Sequence, residues 1–220
     1  MPDPILITIR YGLTSVIEEY PITHYLKLLP ESMREEVCRY KFPNDKKLRL
    51  LAKLILLHRL RQDNKQNLFA SFTRNQAGKP YISEWKNFSI SHSGTMTVFA
   101  DAVEPLGIDL ELITNLEIDE FMGELHRNEK EAILTSTQPL LTFYEIWTKK
   151  EAFLKCLGIG IAKGLSQYDC HSDHIFYLGD TWFFHKILLF ENFVCYLSSK
   201  HKVAEILAAE FKSSDLLVLI

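Results

Sequence analysis

Asp109 and Glu111 stand two apart in Gly107-Ile108-Asp109-Leu110-Glu111. The flanking apolar residues read as a β-strand, where residues i and i+2 share a face, roughly 6.5–7 Å apart along the backbone. Two carboxylates aimed the same way repel each other unless a cation lies between them. A hard divalent ion with oxygen ligands would satisfy the pair; a polar strand face in water would do so too. A third carboxylate, Glu151, lies in Trp147-Thr148-Lys149-Lys150-Glu151-Ala152-Phe153-Leu154-Lys155. On a helix, Trp147, Glu151 and Lys155 form an i, i+4, i+8 line running from apolar to charged. Glu151 and Lys155 read either as a surface ion pair or as a metal carboxylate with a phosphate-binding lysine one turn on.

Phe88-Ser89-Ile90-Ser91-His92-Ser93-Gly94 sets three hydroxyls, an imidazole and a glycine at a strand end. With backbone N–H groups from the turn, that is a donor set for a phosphate; a Ser-rich turn is the plainer alternative. Gly78-Lys79-Pro80 is a turn and not a nucleotide-binding P-loop, because Thr73 stands five places before the glycine and Pro80 follows the lysine. Gly158 to Gly164 follows a helix, not a strand, and so is not a dinucleotide fingerprint. Asp169-Cys170-His171-Ser172-Asp173-His174 contains zinc-ligand types, but no second pair at zinc-finger spacing accompanies them, so the segment reads as a polar loop. Cys38, Cys156, Cys170 and Cys195 form no C-x-x-C pair and read as reduced thiols of a cytosolic protein.

The elements that must carry these residues follow from periodicity and punctuation. Strands are expected at Ile5–Ile9, Phe88–Ser91, Thr97–Asp101, Leu106–Glu111, Ile175–Leu178, Trp182–Leu189 and Phe193–Leu197. Helices are expected over Thr23–Leu29 and Glu31–Tyr40, split by Pro30, and over Asp45–Arg61 with Asn44 as N-cap and Leu48, Leu51, Ile55 and His58 facing the core. Asn115–Thr135 reads as two amphipathic pieces. A helix from Pro139 should stop at Gly158. Leu216–Ile220 reads as a final strand or a docked tail.

Composition bounds the rest. Of 220 residues, 47% are hydrophobic and 24% charged, and the net charge is -3. That suits a packed globular chain of one large domain or two halves. It lacks the basic excess of a nucleic-acid binder, so any phosphate site must use a few local cations. The longest apolar helical run, Leu48–Leu60, is broken by Arg49, Lys53 and Arg59 and is too short for a bilayer. Met1-Pro2-Asp3-Pro4 is not a basic-then-apolar leader, and a cytoplasmic location is expected.

Taken in order, the helix with Arg49, G-K-P at 78–80, F-S-I-S-H-S-G at 88–94, G-I-D-L-E at 107–111 and W-T-K-K-E-A-F-L-K at 147–155, closed by Gly158 and Gly160, resemble the surfactin-type 4′-phosphopantetheinyl transferases, also termed holo-[acyl-carrier-protein] synthases. The resemblance covers about residues 45–165. It implies an α+β fold of two similar α/β halves related by pseudo-twofold symmetry, here 1–104 and 105–220, with the active site in the cleft between them. It implies magnesium, or manganese, on Asp109, Glu111 and Glu151. It implies coenzyme A as substrate, with Ser91, His92 and Arg49 at its 3′-phosphate, Lys79 near the adenine and 3′-phosphate, and Lys155 at the pyrophosphate. Glu129 aligns, more loosely, with a further acidic residue near the metal. The implied reaction moves phosphopantetheine onto a serine of an apo acyl or peptidyl carrier protein and releases adenosine 3′,5′-bisphosphate, with Glu151, Lys155 and Asp109 catalytic and the enzyme a monomer. Leu116, Ile118, Phe121 and Met122 could dock a carrier helix or bury against their own sheet. The chain departs from the family at Leu112-Ile113-Thr114-Asn115, which lacks a basic residue, and at Lys53, where relatives often have a small one. A magnesium-dependent coenzyme A pyrophosphohydrolase and a non-catalytic coenzyme A or carrier-binding module are the alternatives.

Overall fold

In the computed structural model, which describes residues 6–160, 164–203 and 205–219, the described chain runs through ten strands and six α-helices. In order these are β1 (Leu6–Leu13), α1 (Ile22–Leu26), α2 (Glu31–Cys38), α3 (Pro43–Gln62), β2 (Thr73–Arg74), β3 (Pro80–Tyr81), β4 (Asn87–Ser93), β5 (Met96–Ala102) and β6 (Leu106–Leu112). Then follow α4 (Arg127–Thr135), α5 (Pro139–Leu157), β7 (His174–Tyr177), β8 (Asp180–Lys186), β9 (Phe193–Ser199), β10 (Glu205–Glu210) and α6 (Ser213–Leu217). Met1–Ile5, Ile161–Lys163 and Ile220, on which parts of the expected first strand, glycine-rich stretch and tail fall, lie outside the described residues.

Two four-stranded sheets form, ordered β10-β1-β5-β4 and β6-β9-β8-β7. Each half follows one plan: a first strand, a long helix, then a meander whose last strand returns antiparallel beside the first. Thus β5 pairs with β1 and β4 with β5, while β9 pairs with β6 and β8 with β9. The fold is α+β with two similar halves. The repeat is one of topology and leaves no repeated letters.

The first half closes around α3. Leu50, Leu51, Leu54, Ile55 and Leu60 are fully buried, although the sequence pattern gave them to more than one face. A helix buried on nearly every side needs covers beyond its sheet. Tyr25, Met33 and Val37 of α1 and α2 supply one, and Phe211, Leu216 and Leu219 near the C-terminus supply another. Each large apolar side chain so buried contributes about 1.5–3 kcal/mol. The second half has its own core around Phe143, Ile146 and Phe153 of α5, with Phe184 and Tyr196 of β8 and β9.

The structure corrects three expectations here. Residues 205–219 do not belong to the second half: β10 pairs in parallel with β1, and α6 covers α3. The short apolar β10, which the sequence reading missed, satisfies the open edge of β1. Asn44 does not cap α3, which begins at Pro43, the favoured first helical position; its amide donates to Gly94 O at 2.8 Å. Finally, α1 ends at Leu26 and α2 at Cys38, short of the expected Leu29 and Tyr40. In contrast, α5 spans Pro139–Leu157 and ends at Gly158, whose φ of 69° is the left-handed conformation glycine adopts without strain.

Candidate active site

One close contact inside the second half and two contacts that cross between the halves set the seam. Gly107 of β6 lies against α5 so closely that a Cβ there would stand 2.0 Å from Ala152 O. Lys79 donates from Nζ to Leu106 O at 3.0 Å and to Cys156 O at 3.4 Å. Asn75 holds its own loop through the Ala77 and Lys79 N–H groups and donates from its amide to Gly158 O at 3.0 Å. Along the seam, β4 lies beside β6, and a cavity of about 650 Å³ opens there. That is an ordinary size for a site that takes a small cofactor. Its walls include Arg49, Arg74, Lys79, Ser91, His92, Asp109, Glu111, Trp147, Glu151 and Lys155.

All the residues singled out as metal or coenzyme ligands therefore line one cavity, including the i, i+4, i+8 line of Trp147, Glu151 and Lys155 on α5. Asp109 is buried. Its Oδ1 accepts from Ser91 Oγ at 2.8 Å and from Lys155 Nζ at 2.5 Å. Lys155 also donates to Ser91 Oγ at 2.9 Å. Asp109 Oδ2 is buried and has no hydrogen-bond partner. Glu111 accepts from Ser93 Oγ at 3.0 Å.

The electrostatics follow from this crowding. Burial first, and then the Asp109 charge, push Glu111 and Glu151 each up to about 7. Lys155 opposes the rise in both, and the Ser93 hydrogen bond opposes it in Glu111. Burial, with the charges of Arg49 and Lys155, pushes His92 down to about 4. At neutral pH His92 is then an uncharged hydrogen-bond donor inside a cationic corner. Arg49 lies over the Tyr40 ring, 4.8 Å from its centre.

Lys79 lines the cavity, and its ammonium donates to two carbonyls across the junction. Glu129 is fully buried away from the cavity. It accepts the N–H groups of His126 at 2.7 Å and Cys170 at 2.8 Å and pairs with Lys150 at 2.7 Å. Both oxygens are engaged in these contacts, and Glu129 is not among the residues that line the cavity. Leu116, Ile118, Phe121 and Met122 are half-buried against the core of their own half. Lys53 is buried, pairs with Glu36 at 3.0 Å and lies 4.7 Å from the centre of the Phe72 ring, so its cation is absorbed by packing.

Two residues were missed. Arg74 lines the cavity, donates to Gly78 O at 2.9 Å and pairs with Glu36 at 2.7 Å. Asn75 joins the halves as described. Their signal was present in Thr73-Arg74-Asn75-Gln76-Ala77-Gly78-Lys79-Pro80, where an Asn before a tight turn commonly binds the backbone two residues on.

Among the described residues no three His, Cys, Asp or Glu side chains are gathered closely enough to hold an ion as they stand. The donor set nonetheless fits one. Three hard carboxylates line a single cavity, two of them pushed up by burial and by the charge of the third, and the orphaned Asp109 Oδ2 is an acceptor with nothing to accept from. A carboxylate buried without its full set of partners is costly.

With this geometry, the comparisons with known proteins agree. Residues 105–198 match the family model described as the 4′-phosphopantetheinyl transferase superfamily, and residues 18–104 that described as 4′-phosphopantetheinyl transferase, N-terminal. The chain is 33% identical over 145 residues to the 4′-phosphopantetheinyl transferase gsp of Aneurinibacillus migulanus, a match covering 63% of this chain and 61% of that one. It is 26% identical over 151 residues to the 4′-phosphopantetheinyl transferase Sfp of Bacillus subtilis, covering 66% of each. To the L-aminoadipate-semialdehyde dehydrogenase-phosphopantetheinyl transferase of Schizosaccharomyces pombe it is 27% identical over 160 residues, covering 62% and 61%. The chain spans less than two thirds of the length of each of these relatives. It belongs to the 4′-phosphopantetheinyl transferase superfamily, in its two-half form.

Proposed function

We propose that the chain transfers the 4′-phosphopantetheine of coenzyme A to a serine of an apo acyl or peptidyl carrier protein and releases adenosine 3′,5′-bisphosphate. The observation that carries this reading is the convergence of Asp109, Glu111, Glu151 and Lys155 with Ser91, His92 and Arg49 on one cavity at the seam of the two halves. Phosphoryl transfer asks a protein for alignment and charge neutralisation more than for covalent help. Asp109, Glu111 and Glu151 would hold magnesium, for which manganese can substitute. When bound, the ion supplies charge neutralisation at the pyrophosphate.

The chain's own residues do the rest. Arg49 and Arg74 bring positive charge to the site, neutral His92 offers a hydrogen bond for the 3′-phosphate, and Ser91 would join it by turning its proton from Asp109 to the phosphate. Lys155 stabilises charge as the oxygen–phosphorus bond to the leaving group breaks and the serine oxygen bonds to the β-phosphorus. The serine proton passes to Glu151, directly or through a water. We assign the enzyme to the cytoplasm as a monomer. No described helix is long and apolar enough to cross a membrane.

The test is mass spectrometry of an apo-carrier incubated with the protein, coenzyme A and magnesium. A gain of one phosphopantetheine is expected. Release of adenosine 3′,5′-bisphosphate without carrier, and without any gain in carrier mass, would make the protein a pyrophosphohydrolase instead. Asp109→Asn and Glu151→Gln should each lower transfer by ~10²–10³-fold while the chain stays folded, the range seen when one preorganised electrostatic group is removed. Transfer at the wild-type rate by either purified variant would refute the assignment of that residue.

A further inference from the structure

We infer that Ser93 is a positioning residue for Glu111, and through it for the divalent ion of the reaction; this rests on the transferase reading above. The inference begins at the seam. β4 and β6 lie side by side but belong to different sheets, and among the described residues no backbone ladder joins them. Serine hydroxyls take the place of that ladder. Ser89 Oγ accepts the Ile108 N–H at 3.1 Å, and Ser93 Oγ accepts the Leu112 N–H at 3.0 Å. Both serines therefore knit the seam, but only one of them also faces a carboxylate with its proton.

A hydroxyl has one proton to give. Once the Leu112 N–H fixes the Ser93 oxygen, the proton is committed to Glu111 Oε2, 3.0 Å away. Among the described residues no other side chain hydrogen-bonds Glu111. The contact holds the carboxylate in one rotamer and favours its ionised form, and it leaves the second oxygen free for the cavity. Groups standing behind a metal ligand in this way are worth ~10–100-fold in metal affinity. Ser89 offers the contrast, because Ile108 carries no carboxylate.

The experiment measures binding of Mn²⁺ by the loss of its free electron paramagnetic resonance signal, at saturating coenzyme A and against a coenzyme-only blank. Thermal unfolding is recorded alongside. Ser93→Ala is expected to weaken Mn²⁺ by ~10-fold or more, and Ser93→Thr, which keeps the hydroxyl, to restore most of the affinity. Ser89→Ala is expected to lower the unfolding temperature through the lost seam contact while leaving Mn²⁺ affinity at the wild-type value. Should Ser93→Ala not fold, Ser93→Cys keeps the volume with a weak donor and is expected to show the same loss. If Ser93→Ala binds Mn²⁺ as the wild type does, or Ser89→Ala weakens it as much, Ser93 has no particular claim on the ion although the transferase reading stands. If the wild type binds no Mn²⁺, the metal reading falls and takes this inference with it.

Discussion

Lys155 and Ser91 hold Asp109 by one oxygen and leave the other, buried, without a partner. Glu111 and Glu151, buried and beside that charge, carry pKa values raised from 4.5 to about 7. The sign of the consequence is definite. Between pH 4.5 and 7 the folded chain binds more protons at these two groups than the unfolded chain does, so their contribution to stability falls as pH rises through that window. In the presence of a chelator, the unfolding temperature of the wild type should therefore drop between pH 5.5 and 7.5 relative to that of a Glu111→Gln, Glu151→Gln double variant. Equal slopes would show that the folded chain does not raise these two carboxyls. On β4, Ser91→Ala with His92→Ala should weaken coenzyme A more than 3′-dephospho-coenzyme A in calorimetric titration; equal losses would remove both residues from the 3′-phosphate. At this scale much was legible, because D-x-E on a strand and Glu-x-x-x-Lys on a helix fix side-chain direction by backbone period alone. What could not be read was where charge is spent. The Lys79 ammonium is consumed by carbonyls, and Glu129 by the Cys170 N–H and Lys150, all distant in sequence, so no local pattern records those pairings; only the capping contact of Glu129 to His126 N–H is local.

The functional element of the second half is α5, and its placement depends on the absence of a side chain at Gly107. Gly107→Ala would set a Cβ 2.0 Å from Ala152 O and 2.3 Å from Cys156 N, which are backbone atoms that cannot swing aside. The helix would have to move off β6, at a cost of at least about 1–3 kcal/mol. A denaturant midpoint shift of that size, together with lost transfer at temperatures where the chain remains folded, is the expected result. On its far side α5 is anchored by Lys150, which donates to Leu165 O at 3.0 Å and pairs with buried Glu129. Lys150→Met alone should cost about 3–5 kcal/mol in denaturant unfolding, since it strands a buried carboxylate. The bounds of α5 were visible from Pro139 and Gly158, which punctuate the chain by local chemistry. α3 was harder: its stripe of Leu48, Leu51, Ile55 and His58 is indeed buried, but so are most of its other positions, because the covers come from α1, α2 and the chain's last residues.

Across the whole molecule, two halves of one topology are bound by the serine seam, Lys79, Asn75 and the return of β10 to β1. Such cross-links favour a single cooperative transition, which scanning calorimetry would register as equal calorimetric and van't Hoff enthalpies. Phe211 is fully buried in the core of the first half. Phe211→Ala should cost about 3–5 kcal/mol and destabilise both halves together. The bilobed plan could be inferred from the order of motifs, whereas the return could not. A parallel strand pair nearly two hundred residues apart in sequence has no short-range signature, and only the bare edge of β1 calls for it. That return sets an order of events on the ribosome. The amino-terminal lobe is synthesised first yet stays unfinished, one sheet edge bare and one flank of its central helix uncovered, until translation has delivered residues 205–219 beyond the exit tunnel. A chain halted before residue 205 would leave its older lobe, not its younger one, as the incomplete part and the one open to proteases.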